Sequence, residues 1–286
     1  MRISWIAGIA SLAYWAAGAA GQTLQVPKSV VAGAAISIPS TGSGAAELYI
    51  VGPAQVLHQK VQLGETITIP QGALYAAGRY LAILSGQSVR GHWAFDVTPS
   101  PDLEKISFLA RPSRLPVGQA NGVSGTVYLF DAYGNLILNP VPVTFQYAAP
   151  GGPAQERTLT TQDGVASVEM NSSSRQGNAN FIAHAGGVTS TRVVEQVPGD
   201  PCSLKMTAQP AGNQILLKTD PVRDCSGNAV PDGTIVTFTE TQGDRQTTVD
   251  VPLKQGIAQV TVPSEPGARI SVASGVVLGN EIRWNR

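Results

Sequence analysis

DAYGN at Asp131–Asn135 and DCSGN at Asp224–Asn228 are two copies of one pattern, D-x-x-G-N. Each copy leads, at the same distance along the chain, to a Val-Thr-Phe segment that ends at Phe145 or at Phe238. A repeat of roughly 90 residues is the size of one two-sheet β-sandwich. The repeat therefore predicts duplicated all-β domains and argues against a single catalytic fold.

Further segments recur in the same order after each copy. DGVASV at Asp163–Val168 corresponds to QGIAQV at Gln255–Val260, and Asn180–Ala185 corresponds to Arg269–Ser274. These segments alternate apolar and polar residues, which is typical of half-buried strands. Gln162–Gly164 predicts a hairpin turn, because glycine accepts a positive φ without steric cost.

Two proline-bearing linkers divide the chain, TPSP at Thr98–Pro101 and VPGDP at Val197–Pro201. Proline favours extended backbone in the residue before it and cannot donate to a sheet ladder, so both stretches suit domain junctions. We therefore expect three domains after a leader. The predicted segments are a signal peptide at 1–21 and β-sandwiches at 22–98, 101–197 and 200–286.

The N-terminus predicts an export signal. A short positive start, Met1-Arg2, is followed by an uncharged apolar run to Ala17 and by the small residues Gly18–Gly21. This is the order of a cleaved secretory peptide, and cleavage after Ala19, Ala20 or Gly21 fits it. An uncleaved membrane anchor is the alternative, although the run is shorter than the roughly 20 residues a spanning helix needs.

Composition excludes several classes of protein. The net charge is +0, and no cluster of Lys and Arg supplies the basic surface that nucleic-acid binding needs. Charged residues make up only 13% of the chain, while Gly (31) and Pro (20) are frequent, which favours short strands over long amphipathic helices. No segment after the leader is apolar for long enough to predict a membrane span.

The two cysteines, Cys202 and Cys225, predict a disulfide, since the chain is expected to be exported. The bond would pin the first strand of the last domain to the second D-x-x-G-N loop. The short ring that it closes would contribute about 3 kcal/mol by restricting the unfolded chain. A catalytic thiol is the alternative, but no histidine lies in the same repeat to act as its base.

The quoted motifs resemble a known family. The run from Asp131 through Phe145, with Gly164 and Ala166, is similar to the bacterial immunoglobulin-like domain type 1 of invasin and intimin. The third segment matches this family more weakly, and Ala132 of the second segment corresponds to Cys225 there. The third segment carries the resemblance through Asp224, Gly227, Asn228, Val230, Gly233, Val236, Phe238, Gly256 and Ala258.

The resemblance implies a fold and a class of function. The expected fold is all-β, with tandem immunoglobulin-like Greek-key β-sandwiches that serve as a stalk, spacer or adhesion module without catalytic residues. The first segment resembles only the general immunoglobulin-like pattern, where Gly78–Tyr80 is similar to a tyrosine corner. Invasin-like proteins also carry an outer-membrane barrel and often a terminal recognition domain, for which this sequence has no room, so a host-cell adhesin is not implied.

Candidate catalytic and metal sites are weak in the sequence. The histidines His58, His92 and His184 lack metal-ligand spacing, and no G-x-S-x-G nucleophile elbow occurs. The pairs Asp131 with Asp163 and Asp224 with Asp232 could hold calcium, which needs six to eight oxygens. Turn-forming aspartates that accept hydrogen bonds from backbone amides are the simpler interpretation. We expect no catalytic residues, no metal and no cofactor.

Candidate binding residues lie in the repeated loops, because partner contacts in sandwich proteins concentrate on loops. Tyr133 lies at a turn tip and is the aromatic ring most expected to be exposed. The candidates are Tyr133, Asp131, Asn135, Asp224 and Asn228. A sugar-binding face would need a patch of exposed rings, for which the further candidates are Tyr128, Tyr147, Trp93 and Trp284, although the alternating strand around Trp93 favours a core position.

The sequence as a whole predicts an exported, non-enzymatic protein that acts as a structural spacer or an adhesion and interaction module at the cell envelope. The expected location is secreted, periplasmic or at the cell surface, reached through the Sec pathway. The expected partner is an unidentified protein or cell-surface glycan. Two alternatives stay open: a carbohydrate-binding accessory module and a small hydrolase on a sandwich scaffold.

Overall fold

The computed structural model describes residues 24–86 and 90–285, and every named element in these ranges is a β-strand. The predicted signal peptide, 1–21, lies outside the described residues. No helix in the described ranges has the length and apolar character needed to cross a membrane. The all-β prediction is confirmed, and the strands form tandem immunoglobulin-like sandwiches.

The first sandwich is built from seven strands, β1 to β7. One sheet has the order β1-β7-β6-β3-β4, and β2 pairs with β5 in a second, two-stranded sheet. The first strand, β1, runs parallel to β7, whereas the other pairs are antiparallel. The bounds are β1 Ser29–Val31, β2 Ile36–Pro39, β3 Gly44–Val51, β4 Val56–Leu63, β5 Thr66–Ile69, β6 Gly78–Gly86 and β7 Arg90–Thr98.

The second sandwich contains β8 to β15. Its sheets have the orders β13-β10-β8 and β12-β11-β14-β15-β9, and β9 runs parallel to β15. The bounds are β8 Lys105–Arg111, β9 Arg114–Pro116, β10 Val123–Phe130, β11 Pro142–Ala148, β12 Gln155–Thr160, β13 Val165–Met170, β14 Gly177–Ala185 and β15 Val188–Val197.

The third sandwich contains β16 to β22. Its sheets have the orders β16-β17-β20 and β19-β18-β21-β22. These orders match β8-β10-β13 and β12-β11-β14-β15 of the second sandwich strand for strand, so the two repeats share one topology. The bounds are β16 Met206–Ala211, β17 Gln214–Thr219, β18 Ile235–Gln242, β19 Arg245–Pro252, β20 Gln259–Pro263, β21 Arg269–Ser274 and β22 Val277–Arg283.

Alternation of side chains along each strand builds the cores. In β10, every second residue from Val123 to Leu129 is buried, and β13 alternates in the same way. Since successive side chains in a strand point to opposite faces, one face of each sheet is apolar and packs on the facing sheet. Three separate clusters of buried apolar residues result, one in each sandwich.

Contacts between Cα atoms divide the chain into two compact units. The first contains residues up to Ser100 together with Tyr133–Asn135, and the second contains Pro101–Ala132 with the rest of the chain from Leu136. The second unit thus holds two sandwiches, each with its own apolar core.

The turn at Gln162–Gly164 differs from the expected hairpin. The chain does reverse tightly, with Gln162 and Val165 exchanging both backbone hydrogen bonds and with positive φ at Asp163 and Gly164. However, β12 before the turn pairs with β11, and β13 after it pairs with β10 in the other sheet. The turn therefore carries the chain from one sheet to the other.

The tyrosine corner that Gly78–Tyr80 resembled is present. Tyr80 is buried, and its hydroxyl donates a hydrogen bond to the carbonyl oxygen of Ala76, 2.8 Å away. Burial raises the pKa of the Tyr80 hydroxyl above its ordinary value, and the neighbouring Tyr75 raises it further. The bond fixes the turn Tyr75–Ala77, which leads into β6.

An aromatic cluster fills the second core. The Phe181 ring packs edge-on against Phe108 at 5.1 Å between centroids and against Tyr147 at 5.3 Å. A Cβ added to Gly125 would lie 2.6 Å from Phe181, so only glycine fits beneath this ring. Such edge-to-face contacts contribute beyond the area they bury.

We predict that Phe181→Ala lowers the free energy of unfolding of the second sandwich by about 3–5 kcal/mol, because it leaves a cavity among three rings. Native-state hydrogen exchange of β11 and β14 amides is the measurement, since Trp93 and Trp284 belong to the other sandwiches. Leu138→Ala is the control, because Leu138 is 52% exposed and its loss should cost under about 0.5 kcal/mol. Equal losses in the two variants would contradict the prediction.

Candidate interaction site: the two D-x-x-G-N loops

Each D-x-x-G-N loop places its aspartate in the interior of the protein. Asp131 follows β10 directly and is 2% exposed, while Asp224 lies in the corresponding connection after β17 and is 5% exposed. The glycines of the pattern have positive φ, 80° at Gly134 and 85° at Gly227. This conformation is strained for residues with a Cβ, which explains glycine at the fourth position of both loops.

The carboxylate of Asp224 organises the second loop. Its Oδ1 accepts hydrogen bonds from the backbone amides of Ser226 at 2.9 Å and Asn228 at 2.8 Å, and its Oδ2 accepts one from Gly199 at 3.0 Å. The amide of Gly227 bonds back to the Asp224 carbonyl, and the amide of Asp224 bonds to the Asn228 carbonyl. A buried carboxylate is stable only with such partners.

The pKa of Asp224 reflects two opposing effects. Burial raises the pKa of the carboxyl, but the hydrogen bonds from Asn228, Gly199 and Ser226 lower it by more, so the pKa ends below its ordinary value. Hydrogen bonding to the ionised form favours that form. The loop is therefore held together by a carboxylate that stays charged at neutral pH.

The predicted disulfide is present between Cys202 and Cys225. It closes beside the aspartate, where the amide of Cys202 also donates to the carbonyl of Arg223 at 2.9 Å. Cys202 precedes the first strand, β16, rather than lying in it, so the bond ties the segment ahead of that strand to the loop. The described part of the chain contains no free cysteine.

The Asn228 side chain bonds to its own loop and also reaches the second sandwich. Its Oδ1 accepts a hydrogen bond from the amide of Gln176 at 3.2 Å, and its Nδ2 donates to the carbonyl of Ser174 at 2.8 Å. The Nδ2 also lies 3.0 Å from Oδ2 of Asp224. The second unit thus uses this carboxamide internally, in a contact between the third and second sandwiches.

The segment Tyr133–Asn135 makes a similar contact within the first unit. Asn135 Oδ1 accepts a hydrogen bond from the amide of Ala77 at 2.8 Å, and its Nδ2 donates to the carbonyl of Tyr75 at 2.8 Å. The Tyr133 ring lies over Gly33, where an added Cβ would meet the tyrosine hydroxyl at 2.0 Å. Tyr133 is 40% exposed, so one side of the ring is covered by its own unit.

The other aromatic candidates do not form a common exposed face. Tyr147 is fully buried in the second core, where burial raises the pKa of its hydroxyl to about 12, and Trp284 is buried in the third core. Their expected exposure was wrong, because Tyr147 lies on the inward face of β11 and Trp284, directly after β22, packs into the third core. Trp93 packs partly buried against the first core, as its alternating strand predicted.

The described residues contain no group of three or more His, Cys, Asp or Glu side chains that could hold a metal. Asp232 accepts a hydrogen bond from the amide of Gly256 at 3.0 Å, and its amide bonds lower the pKa of this carboxyl. His58 is bonded to Glu47 and stacks on Tyr49, whereas His184 bonds to Thr189. These carboxylates and rings therefore act in local turns and pairs.

No known protein family matches the sequence, and no curated protein matches it. Among solved structures, the chain is similar to invasin, a bacterial integrin-binding protein, with 13% identity, a TM-score of 0.46, and coverage of 92% of this chain and 59% of that one. The chain therefore spans 59% of the length of the invasin structure.

Two further solved structures are similar. The chicken CNTN1 FN1–FN3 domains match with 9% identity and a TM-score of 0.36, over 93% of this chain and 98% of that one. Trypsin-activated alpha-2-macroglobulin from Escherichia coli matches with 14% identity and a TM-score of 0.24, over 92% of this chain and 23% of that one. The fold assignment rests on the sheets and cores of the chain itself.

We predict that Asp224→Asn lowers the free energy of unfolding at pH 7 by about 1–3 kcal/mol, because a buried acceptor of several amides is lost. The folded-state pKa of Asp224 lies below the ordinary 3.8, so its contribution is full above that value and is lost as the pH falls through the folded pKa. The variant should therefore lose less stability than the parent on acidification below about pH 4.

Urea unfolding at a series of pH values measures this difference. Asp244→Asn is the control, because it removes one carboxylate from the exposed turn between β18 and β19 without touching the loop. A parent and an Asp224→Asn variant with parallel stability curves below pH 4 would contradict the role given to this carboxylate.

Proposed function

We propose that this is an exported, non-enzymatic protein of three immunoglobulin-like domains, which acts as a structural spacer or an adhesion and interaction module at the cell envelope. The domains are 22–98, 101–197 and 200–286, preceded by a signal peptide at 1–21. The second and third belong, in this proposal, to the type 1 bacterial immunoglobulin-like repeats of invasin and intimin.

The observation that carries the proposal is the presence of three separate apolar cores, with one strand order recurring in the second and third sandwiches. Each sandwich closes its own core, so the chain can hold surfaces at a set reach without a shared interior. The asparagine side chains of the repeated loops are bonded within their own units, so their polar groups are used structurally. The disulfide fits an extracytoplasmic location, where thiols are oxidised.

The carbohydrate-binding alternative has less support. A sugar site normally stacks rings of the ligand on an exposed aromatic patch. Of the candidate rings, Tyr147 and Trp284 are buried, Trp93 and Tyr128 are half-buried, and Tyr133 lies over Gly33. We therefore favour a protein of the envelope as the partner, and we place the contacts on loops or sheet edges.

We predict that the chain is exported and processed. In a bacterium with a Sec pathway, the periplasmic or secreted protein should have the intact mass of a chain cleaved after Ala19, Ala20 or Gly21, with Cys202 and Cys225 unreactive to thiol reagents. Leu12→Arg should abolish export, because a charge interrupts the apolar run, whereas Leu12→Ala should not. A cytoplasmic protein that retains Met1 would contradict the proposal.

We also predict saturable binding of the purified mature protein to cell-envelope fractions of its source. The measurement is binding of labelled protein to envelope vesicles, with protein unfolded by reduction and urea as the control and with a glycan array in parallel. Competition by a soluble glycan would favour the carbohydrate-binding alternative. The absence of envelope binding together with turnover of a glycoside or ester substrate would contradict the proposed class.

A further inference from the structure

The asparagines of the two loops bind equivalent turns. Asn135 binds Tyr75–Ala77, which directly precedes β6, and Asn228 binds Ser174–Gln176, which directly precedes β14. β6 lies between β7 and β3 in its sheet, and β14 lies between β15 and β11, so the two strands occupy equivalent positions. Both strands begin at a glycine with a similar φ, 139° at Gly78 and 130° at Gly177.

The bonding pattern is also the same atom for atom. In each case Oδ1 accepts from the amide of the residue just before the glycine, and Nδ2 donates to the carbonyl two residues earlier. A carboxamide presents one acceptor and one donor side by side, as this pair of backbone groups requires. A carboxylate has no donor and would repel the carbonyl oxygen.

A second contact accompanies the first. The third residue of each loop lies against a glycine that follows the short parallel strand, β1 or β9. Tyr133 lies against Gly33, and Ser226 lies against Gly118. A Cβ added to Gly118 would lie 3.4 Å from the serine oxygen. Both glycines have positive φ, and each donates its amide to the turn, Gly33 to Leu74 at 2.7 Å and Gly118 to Ser173 at 2.9 Å. The glycine and the turn thus form one preassembled surface.

We propose that the D-x-x-G-N loop is a docking element that binds a defined surface. This surface consists of the turn before the strand that begins at a glycine, together with the glycine that follows the parallel strand. We call it the receptor turn. The partner is a sandwich of this same type. The inference goes beyond the proposed function, because it assigns a contact between sandwiches to particular residues and does not depend on which partner the protein binds.

The receptor turn is recognised through its main chain. Tyr-Ala-Ala at 75–77 and Ser-Arg-Gln at 174–176 share no residue, yet they make the same two bonds with asparagine. Recognition of backbone geometry tolerates any side chains in the turn, provided that the glycine allows the strand to begin with positive φ.

The third sandwich lacks two parts of the receptor turn. By strand alignment of β21 with β14, Pro266 stands in place of Gly177, so this strand does not begin at a glycine. No parallel strand joins β22 among the described residues, so the glycine that would follow such a strand is missing as well.

Amide hydrogen exchange of the full mature chain, resolved by NMR, tests the proposal directly. The amides of Gln176 and Ala77 are donors to the two asparagine side chains, so each reports one docking contact. Asn228→Ala should speed exchange of the Gln176 amide roughly three- to tenfold and leave Ala77 unchanged, whereas Asn135→Ala should do the reverse.

Two controls separate docking from other causes. Asn178→Ala removes an exposed asparagine from β14, next to the receptor turn, and should change neither amide. The amide of Ser226, bonded to Asp224, reports whether the loop itself is intact. The proposal is overturned if Gln176 exchanges at the parent rate in Asn228→Ala, if Asn178→Ala has the same effect, or if Ser226 is exposed to the same degree as Gln176.

Discussion

The buried carboxylate of Asp224 is the polar group on which the second repeated loop depends. An ionised group with 5% exposure needs hydrogen bonds for its lone pairs, and the amides of Gly199, Ser226 and Asn228 supply them. These bonds leave the loop one conformation, and the positive φ of Gly227 completes it. With the backbone of Asn228 held in this way, its side chain bonds to Ser174 and Gln176 of the receptor turn.

The Asp224 loop also takes part in the contact between the second and third sandwiches. Asn228 bonds both to the buried carboxylate of Asp224 and to Ser174 of the neighbouring sandwich, so one side chain joins the two. The disulfide reinforces the loop from the side of the linker, since Cys202 lies directly after Pro201 and bonds to the residue beside Asp224. Loop, linker and neighbouring sandwich are thus held by one short segment, Asp224–Asn228.

Much of the fold was predictable because its signals are local. Strands such as β10 and β13 alternate apolar and polar residues, and glycine and proline mark the turns and linkers between them. Hydrophobic periodicity did not predict β1, β9, β16, β19 and β22. β1 and β9 have only three residues each, and the burial patterns of β16, β19 and β22 are dominated by exposed or half-buried side chains, so hydrophobic periodicity gives little signal there. The exposure expected for Tyr147 and Trp284 was wrong because the residue type does not tell which side chains point into a core.

By itself, the sequence determined the strand class, the repeat, the pairing of the two cysteines and the residues of the candidate loops, because side-chain pattern and backbone preference encode all of these locally. Only the tertiary structure decided what Asn135 and Asn228 bind. Their partners lie 58 and 52 residues away along the chain, at Ala77 and Gln176, and they are main-chain amides and carbonyls. Nearly every residue carries these main-chain groups, so the residue types in the sequence do not show which of them an asparagine will bind.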